Sequence, residues 1–285
     1  MRNELHKEII NDYLNGESSI KISKALGISS KVIRQILKSN QISLRDIHER
    51  SQKYIHDENI FTSITNDAQA YWVGIFYSDG YVTKNYQVGL CVSTEDIEHL
   101  HKLNKFFKSN YHIYIYKPGK TSYSNNNYCR LLIKSKKIVD DLCRFGITTN
   151  EKNPTSIIND LSVPLKKGII RGMFDGDGSI YYTIKKRKKK DYKEFAISYT
   201  GNLELVNFFK KFIEENNFAT TRKIFKDTRA KDTYYIRIQG NRQLKNFLDF
   251  LYKDVNESCY LTRKYNIYRE LCDFINNTTS FKTHF

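Results

Sequence analysis

Two nonapeptides of this chain repeat one pattern: Trp72-Val73-Gly74-Ile75-Phe76-Tyr77-Ser78-Asp79-Gly80 and Ile170-Arg171-Gly172-Met173-Phe174-Asp175-Gly176-Asp177-Gly178. Each reads as an apolar helical run that ends in Asp-Gly and leads into a strand pattern. Small residues stand four apart in both, Gly74 and Ser78 in one, Gly172 and Gly176 in the other. That spacing lays a shallow stripe along a helix and lets two helix backbones approach closely. The chain is therefore expected to double back so that the two helices form a seam. Their C-terminal ends, and with them Asp79 and Asp177, then lie side by side.

The surrounding pattern repeats as well. A helix over 67–78 is followed by strands near 81–85 and 87–93, a helix over 95–108, strands near 111–117 and 127–134, and a helix near 136–145. The second copy runs from a helix at 165–176 through strands near 179–185 and 194–200 and a helix at 203–216. Strands near 220–226 and 233–239 and helices at 241–252 and 260–273 complete it. Asp79 and Asp177 stand 98 positions apart, a period that marks a duplicated domain, not a solenoid. The fold class is α+β: two αββαββα halves, 67–159 and 160–285, with antiparallel sheets, paired about a pseudo-two-fold axis.

Residues 1–42 read differently. Leu5, Ile9, Ile10 and Tyr13 mark one face of a first helix. Ser18 or Ser19 can cap a second, and Ser29 or Ser30 a third with Val32, Ile33, Ile36 and Leu37 on its apolar side. With Gly27 in the turn between the last two, the segment resembles a helix-turn-helix module. The resemblance places the third helix in a DNA major groove, with Lys31, Arg34 and Gln35 as its reachable polar side chains. Residues 43–66 read as a polar linker.

Charge narrows the partners. The chain has 285 residues and a formal net charge of +16. Most of the excess lies beyond residue 60, and a basic domain of this kind favours polyanions such as nucleic acid. No stretch approaches the roughly 20 consecutive apolar residues of a membrane helix, and MRNELHKEII lacks a signal-peptide core. The expected location is intracellular. Cys91, Cys129, Cys143, Cys259 and Cys272 show no CxxC spacing, so they read as small apolar residues. His99 and His101 point to different helix faces, and no His or Cys metal site is expected.

The acidic helix ends remain. A helix C-terminus carries partial negative charge that disfavours a carboxylate, and two crowded carboxylates repel each other further. A divalent cation relieves both costs, and oxygen-only ligands suit Mg²⁺. Asp79 and Asp177 are the expected metal ligands.

The two motifs resemble the LAGLIDADG motif, and over roughly 66–273 the chain is similar to single-chain, two-motif LAGLIDADG homing endonucleases. The second motif keeps Gly172, Asp175, Asp177 and Gly178. The first keeps Gly74, Asp79 and Gly80 but has Tyr77 where an acidic residue usually stands. The resemblance implies that the second acidic position of each motif, Asp79 and Asp177, binds metal, and that Asp175 is structural. It also implies a catalytic lysine in each half, with Lys264 in Leu261-Thr262-Arg263-Lys264-Tyr265 and Lys152 in the corresponding first-half segment. The strands would form a saddle over a DNA duplex, gripped by the basic run Lys185-Lys186-Arg187-Lys188-Lys189-Lys190 through its phosphates. The implied activity is metal-assisted cleavage of both DNA strands by a monomer, freestanding because its ends lack splice-junction residues. The alternative is a non-cleaving DNA-binding regulator or RNA maturase on the same scaffold.

Overall fold

Apolar residues at helical spacing build the N-terminal unit, residues 1–54, from α1 (Arg2–Leu14), α2 (Ser19–Leu26) and α3 (Ser30–Ser39). The computed structural model describes residues 2–15, 17–44, 54–117, 127–186, 192–220 and 223–280. Ser18 and Ser29 are the N-caps of α2 and α3, accepting from the Lys21 and Val32 amides and satisfying donors the helix itself leaves free. Gly27 ends α2 at φ 66°, a left-handed backbone that glycine adopts without a Cβ clash. Ile9, Tyr13, Ile22, Ile33 and Leu37 form the core. Val32, expected on the apolar side, is instead 40% exposed. It precedes Ile33 by about 100° of helix rotation and so turns outward beside Lys31.

The second unit, residues 55–285, carries the duplication. Its first half runs α4 (Asp67–Ser78), β1 (Gly80–Val82), β2 (Gln87–Ser93), α5 (Ile97–Phe106), β3 (Tyr114–Tyr116), β4 (Tyr128–Lys134) and α6 (Lys136–Arg144). A short helix, α7 (Ser156–Asn159), leads into the second half. That half runs α8 (Val163–Asp177), β5 (Gly178–Lys185), β6 (Tyr192–Gly201), α9 (Leu203–Glu215), β7 (Phe225–Lys226), β8 (Tyr234–Gln239), α10 (Asn241–Tyr252) and α11 (Thr262–Ser280). The sheets are antiparallel and four-stranded, ordered β1-β2-β4-β3 and β5-β6-β8-β7. The two orders correspond strand for strand, as the duplication requires.

Alternation sets the faces of each sheet. On β4, Cys129, Leu131 and Ile133 are buried against helices, while Tyr128, Arg130 and Leu132 lie on the other side. On β8, Ile236 and Ile238 point inward and Arg237 outward. This is the period-2 reading of strands covered on one face only.

The expected linker of 43–66 is too long. Residues 45–53 lie outside the described residues, but Phe61 and Ile64 are buried among the core of the first half. Phe61 packs edge-on against Phe76 and Phe107, and burying it is worth roughly 2 kcal/mol. Sparse apolar residues in a polar stretch gave no period, so only packing reveals the segment as part of the domain.

Candidate active site

The seam between halves is made by the residues with the smallest side chains. A Cβ on Gly74 would stand 2.1 Å from the Ile169 carbonyl oxygen and 2.9 Å from Gly172 Cα. One on Gly172 would stand 2.1 Å from the Tyr71 carbonyl oxygen. No side chain fits there, so α4 and α8 meet backbone to backbone. Ser78 Oγ donates to the Met173 carbonyl at 3.0 Å and ties the helix ends together.

Those ends carry the two carboxylates. Asp79 caps α4, its N–H donating to the Ile75 carbonyl at 3.0 Å, and Asp177 is the last residue of α8. Both side chains reach solvent. They share the wall of a cavity of about 510 Å³ with Lys152. Asp79 Oδ2 lies 3.1 Å from the point where a side chain on Gly176 would begin, so the first-half carboxylate sits across the seam against the second-half motif.

Protein packed behind the carboxylates raises both above the ordinary aspartate range. Asp177 is pushed up to about 6, by desolvation first and then by the charge of Asp79, against Lys152 and Lys264. Asp79 is raised by desolvation, opposed by Lys264, Lys152 and Arg263. The open side of each carboxylate remains in water, which screens these effects. A hard divalent cation suits such a pair, since Mg²⁺ takes one or two carboxylates and completes its shell with water and phosphate oxygens. Among the described residues no group of three or more His, Cys, Asp and Glu could hold a metal ion.

The two lysines occupy corresponding places in different settings. An Ile147–Lys152 bridge and a bond from the Thr148 amide to the Glu151 carbonyl shape the loop that presents Lys152. Its Nζ donates to the Ser78 carbonyl, and desolvation lowers its pKa against the pull of Asp177 and Asp79. Lys264, in the first turn of α11, is 2% exposed. Its Nζ donates to the carbonyls of Phe174, Asp175, Gly176 and Gly178 at 2.6, 2.6, 3.1 and 2.5 Å. Burial brings its pKa down to about 8.

Asp175 is fully buried and accepts from Tyr252 Oη at 2.6 Å, the Leu261 amide at 2.7 Å and Tyr71 Oη at 2.9 Å. Arg171, also buried, donates to Asp67 at 2.5 Å and to the Cys259 and Leu251 carbonyls at 2.7 and 3.2 Å. Sequence reasoning passed over Arg171. Its signal was a guanidinium inside an apolar helix, which demands a buried partner.

The open sheet faces hold polar residues that the strand pattern alone left unassigned. In the first half Arg130 donates to Tyr116 Oη at 2.7 Å, and the Tyr81 ring covers Gly89. In the second half Arg237 lies 5.2 Å over the Tyr181 ring, beside a cavity of about 460 Å³ that also includes Thr200, Lys226 and Tyr235. In the N-terminal unit Lys31, Arg34 and Gln35 are all exposed on α3, and Arg34 Nε donates to the Ser30 carbonyl at 3.0 Å. On the basic hairpin Lys185 pairs with Glu194 at 2.5 Å and Lys186 is exposed. Arg187, Lys188, Lys189 and Lys190 lie outside the described residues.

Comparison with known proteins follows the same division. Residues 164–251 match the LAGLIDADG-like domain model. Among solved structures, the meganuclease I-SmaMI bound to uncleavable DNA superposes with a TM-score of 0.50 at 14% identity, covering 78% of this chain and 93% of that one. The LAGLIDADG homing endonuclease I-LtrWI bound to target DNA gives 0.51 at 11% identity, covering 80% and 93%. I-SmaMI is also known bound to an uncleaved DNA target in the presence of calcium ions, with a TM-score of 0.47. At these identities the likeness is one of fold. The DNA-directed RNA polymerase subunit Rpo1C of Methanocaldococcus jannaschii is 26% identical over 206 residues, 62% of this chain. The chain spans about a quarter of that relative's length, 23%. Among the described residues no helix is long and apolar enough to cross a membrane.

Proposed function

We propose that this chain, LAGLIDADG-like in the sequence of its second half and sharing the fold of LAGLIDADG homing endonucleases, is a site-specific double-strand DNA endonuclease. One observation carries the reading: two carboxylates from duplicated helix ends open together onto one cavity in a strongly basic protein. DNA would lie over the two sheets as over a saddle. Arg130 and Arg237, on their open faces, would contact base edges or phosphates. In the N-terminal unit Lys31, Arg34 and Gln35 on α3 would extend the contact as a helix-turn-helix does. Lys185 and Lys186, with Arg187, Lys188, Lys189 and Lys190 beyond them, would meet phosphates.

Asp79 and Asp177 would hold Mg²⁺, which supplies charge stabilisation to the attacking and leaving oxygens of phosphodiester hydrolysis. The seam fixes both carboxylates relative to one another, so orientation comes from rigid backbone contact. Lys152, on the same cavity wall, would donate to charge that develops on a phosphate. Lys264 would act as a positioning residue. Its proton donors face the end of α8, and its positive charge favours ionised Asp177 through space. The protein would work as a monomer inside the cell.

A randomised duplex pool incubated with and without Mg²⁺ tests this. Cut products at one recovered sequence, in the presence of Mg²⁺ only, are expected. Salt-sensitive binding without any cut would instead support a non-cleaving regulator on this scaffold.

A further inference from the structure

We propose that the two halves cut their DNA strands unequally: Lys152 meets the reacting phosphate directly, Lys264 is a structural plug, and the strand served by Lys152 is cut first. The inference rests on the nuclease reading and goes beyond it. Lys152 Nζ donates to the carbonyl of Ser78 and Lys264 Nζ to that of Gly176, which are corresponding motif positions, so the two lysines are true counterparts. Their similarity ends there.

An ammonium has three protons and no acceptor. Lys264 faces four carbonyls, all within 3.1 Å and all from the end of α8 or the residue after it. The Phe174 carbonyl also takes the Gly178 amide, while those of Asp175 and Gly176 are of the kind a helix C-terminus leaves without intrahelical amide partners. Every proton of Lys264 is therefore engaged inside the protein, and the group is 2% exposed. Lys152 has a carbonyl as its one described Nζ partner and lines the cavity onto which both carboxylates open. Two of its protons remain for a ligand.

The cavity on the other side of Asp79, of about 260 Å³, is lined by Asp96 and Arg263, not by Lys264. Arg263 Nε is already bonded to Asp96 at 3.1 Å. On that side the cation is thus a guanidinium already held by a carboxylate, with no ammonium beside it. In either cut the water oxygen bonds to phosphorus. One ester oxygen leaves with its electron pair and takes up the proton the water gives up, leaving a hydroxyl end and a phosphate end. The charge that builds on the phosphate meets a free ammonium proton in one half only.

The test follows strand-specific ends over time, by sequencing each strand of a randomised duplex pool after addition of Mg²⁺ to the full chain. The wild type should release one strand about tenfold or more ahead of the other, and Lys152→Met should slow that leading strand on the order of 10²-fold. Lys152→Met should keep the wild-type melting temperature. Lys264→Met should lower it and slow both strands together. Should Lys264→Met fail to fold, that result agrees with a plug, and Lys152→Met still decides the strand assignment. Equal rates on both strands in the wild type, or equal slowing of both by Lys152→Met, would overturn the inference while leaving the nuclease reading intact. Absence of any cut by the wild type would overturn both.

Discussion

Where the first half has Tyr77, the second has Asp175, and each makes the same connection with opposite polarity. Tyr77 Oη donates to the Phe145 carbonyl, just past the end of α6. Asp175 accepts from Tyr252 Oη, at the end of α10. A hydrogen bond joins each motif helix to a helix end of its own half, α6 in the first and α10 in the second, and either partner can be the donor. An acidic residue at that motif position is therefore dispensable. The acidic residue two positions later, Asp79 or Asp177, is the same in both halves. The comparison separates what holds a motif in place from what the motif presents.

The sharpest way to break this comparison is to remove the shared feature. Asp79→Asn and Asp177→Asn should each reduce double-strand cleavage about a thousandfold or more while DNA affinity, read by electrophoretic mobility, stays within about threefold. Survival of cleavage in either variant would make the halves unequal in their carboxylates.

The unshared feature comes next. Asp175→Ala strands the Tyr252 hydroxyl and the Leu261 amide in the interior, leaves Tyr71 Oη only His99, and should cost about 3–5 kcal/mol in denaturant unfolding. Tyr77→Phe loses one bond and leaves one carbonyl, costing about 1 kcal/mol. Equal costs would contradict the view that the second half depends more heavily on its buried polar centre.

The open sheet faces sharpen the comparison on DNA. Arg130→Ala and Arg237→Ala should each weaken binding by about 1–3 kcal/mol, and each should relax sequence preference in a different half of the recovered site. Loss of preference across the whole site from either variant would argue against one sheet per half-site.

The smallest expected effect concerns protons. Asp177 is raised to about 6 in the folded protein from 3.8, so the folded state holds the proton more tightly than the unfolded chain. Its stabilising contribution is complete below the unfolded value and is lost as pH rises through about 6. In metal-free buffer Asp177→Asn should flatten this decline and gain about 1 kcal/mol at pH 7.5, a figure reduced for the solvent beside the exposed carboxylate. Thermal melts across pH 4–8 would read it.

The seam was legible because Gly and Ser at four-residue spacing have few other uses, and the buried face of β4 was legible from alternation over Cys129–Ile133. Strand lengths at the edges were not, since β3 and β7 are shorter than the patterns near 111–117 and 220–226. Edge pairing ends where the partner strand ends, which no local pattern records. The two carboxylates were legible from their duplicated setting. The inequality of the lysines was not. Lys264 lies in a polar segment that looks like surface, and only packing brings it beneath helix-end carbonyls some 90 residues earlier in the chain.

That long reach makes the final helix part of the motif. A fragment stopping short of Thr262 would retain both acidic tips and the whole glycine contact, yet the oxygens of Asp175 and Gly178 would lose the ammonium that meets them, and that of Phe174 would keep only the Gly178 amide. One of the two motif helices is in this sense locked from behind by α11.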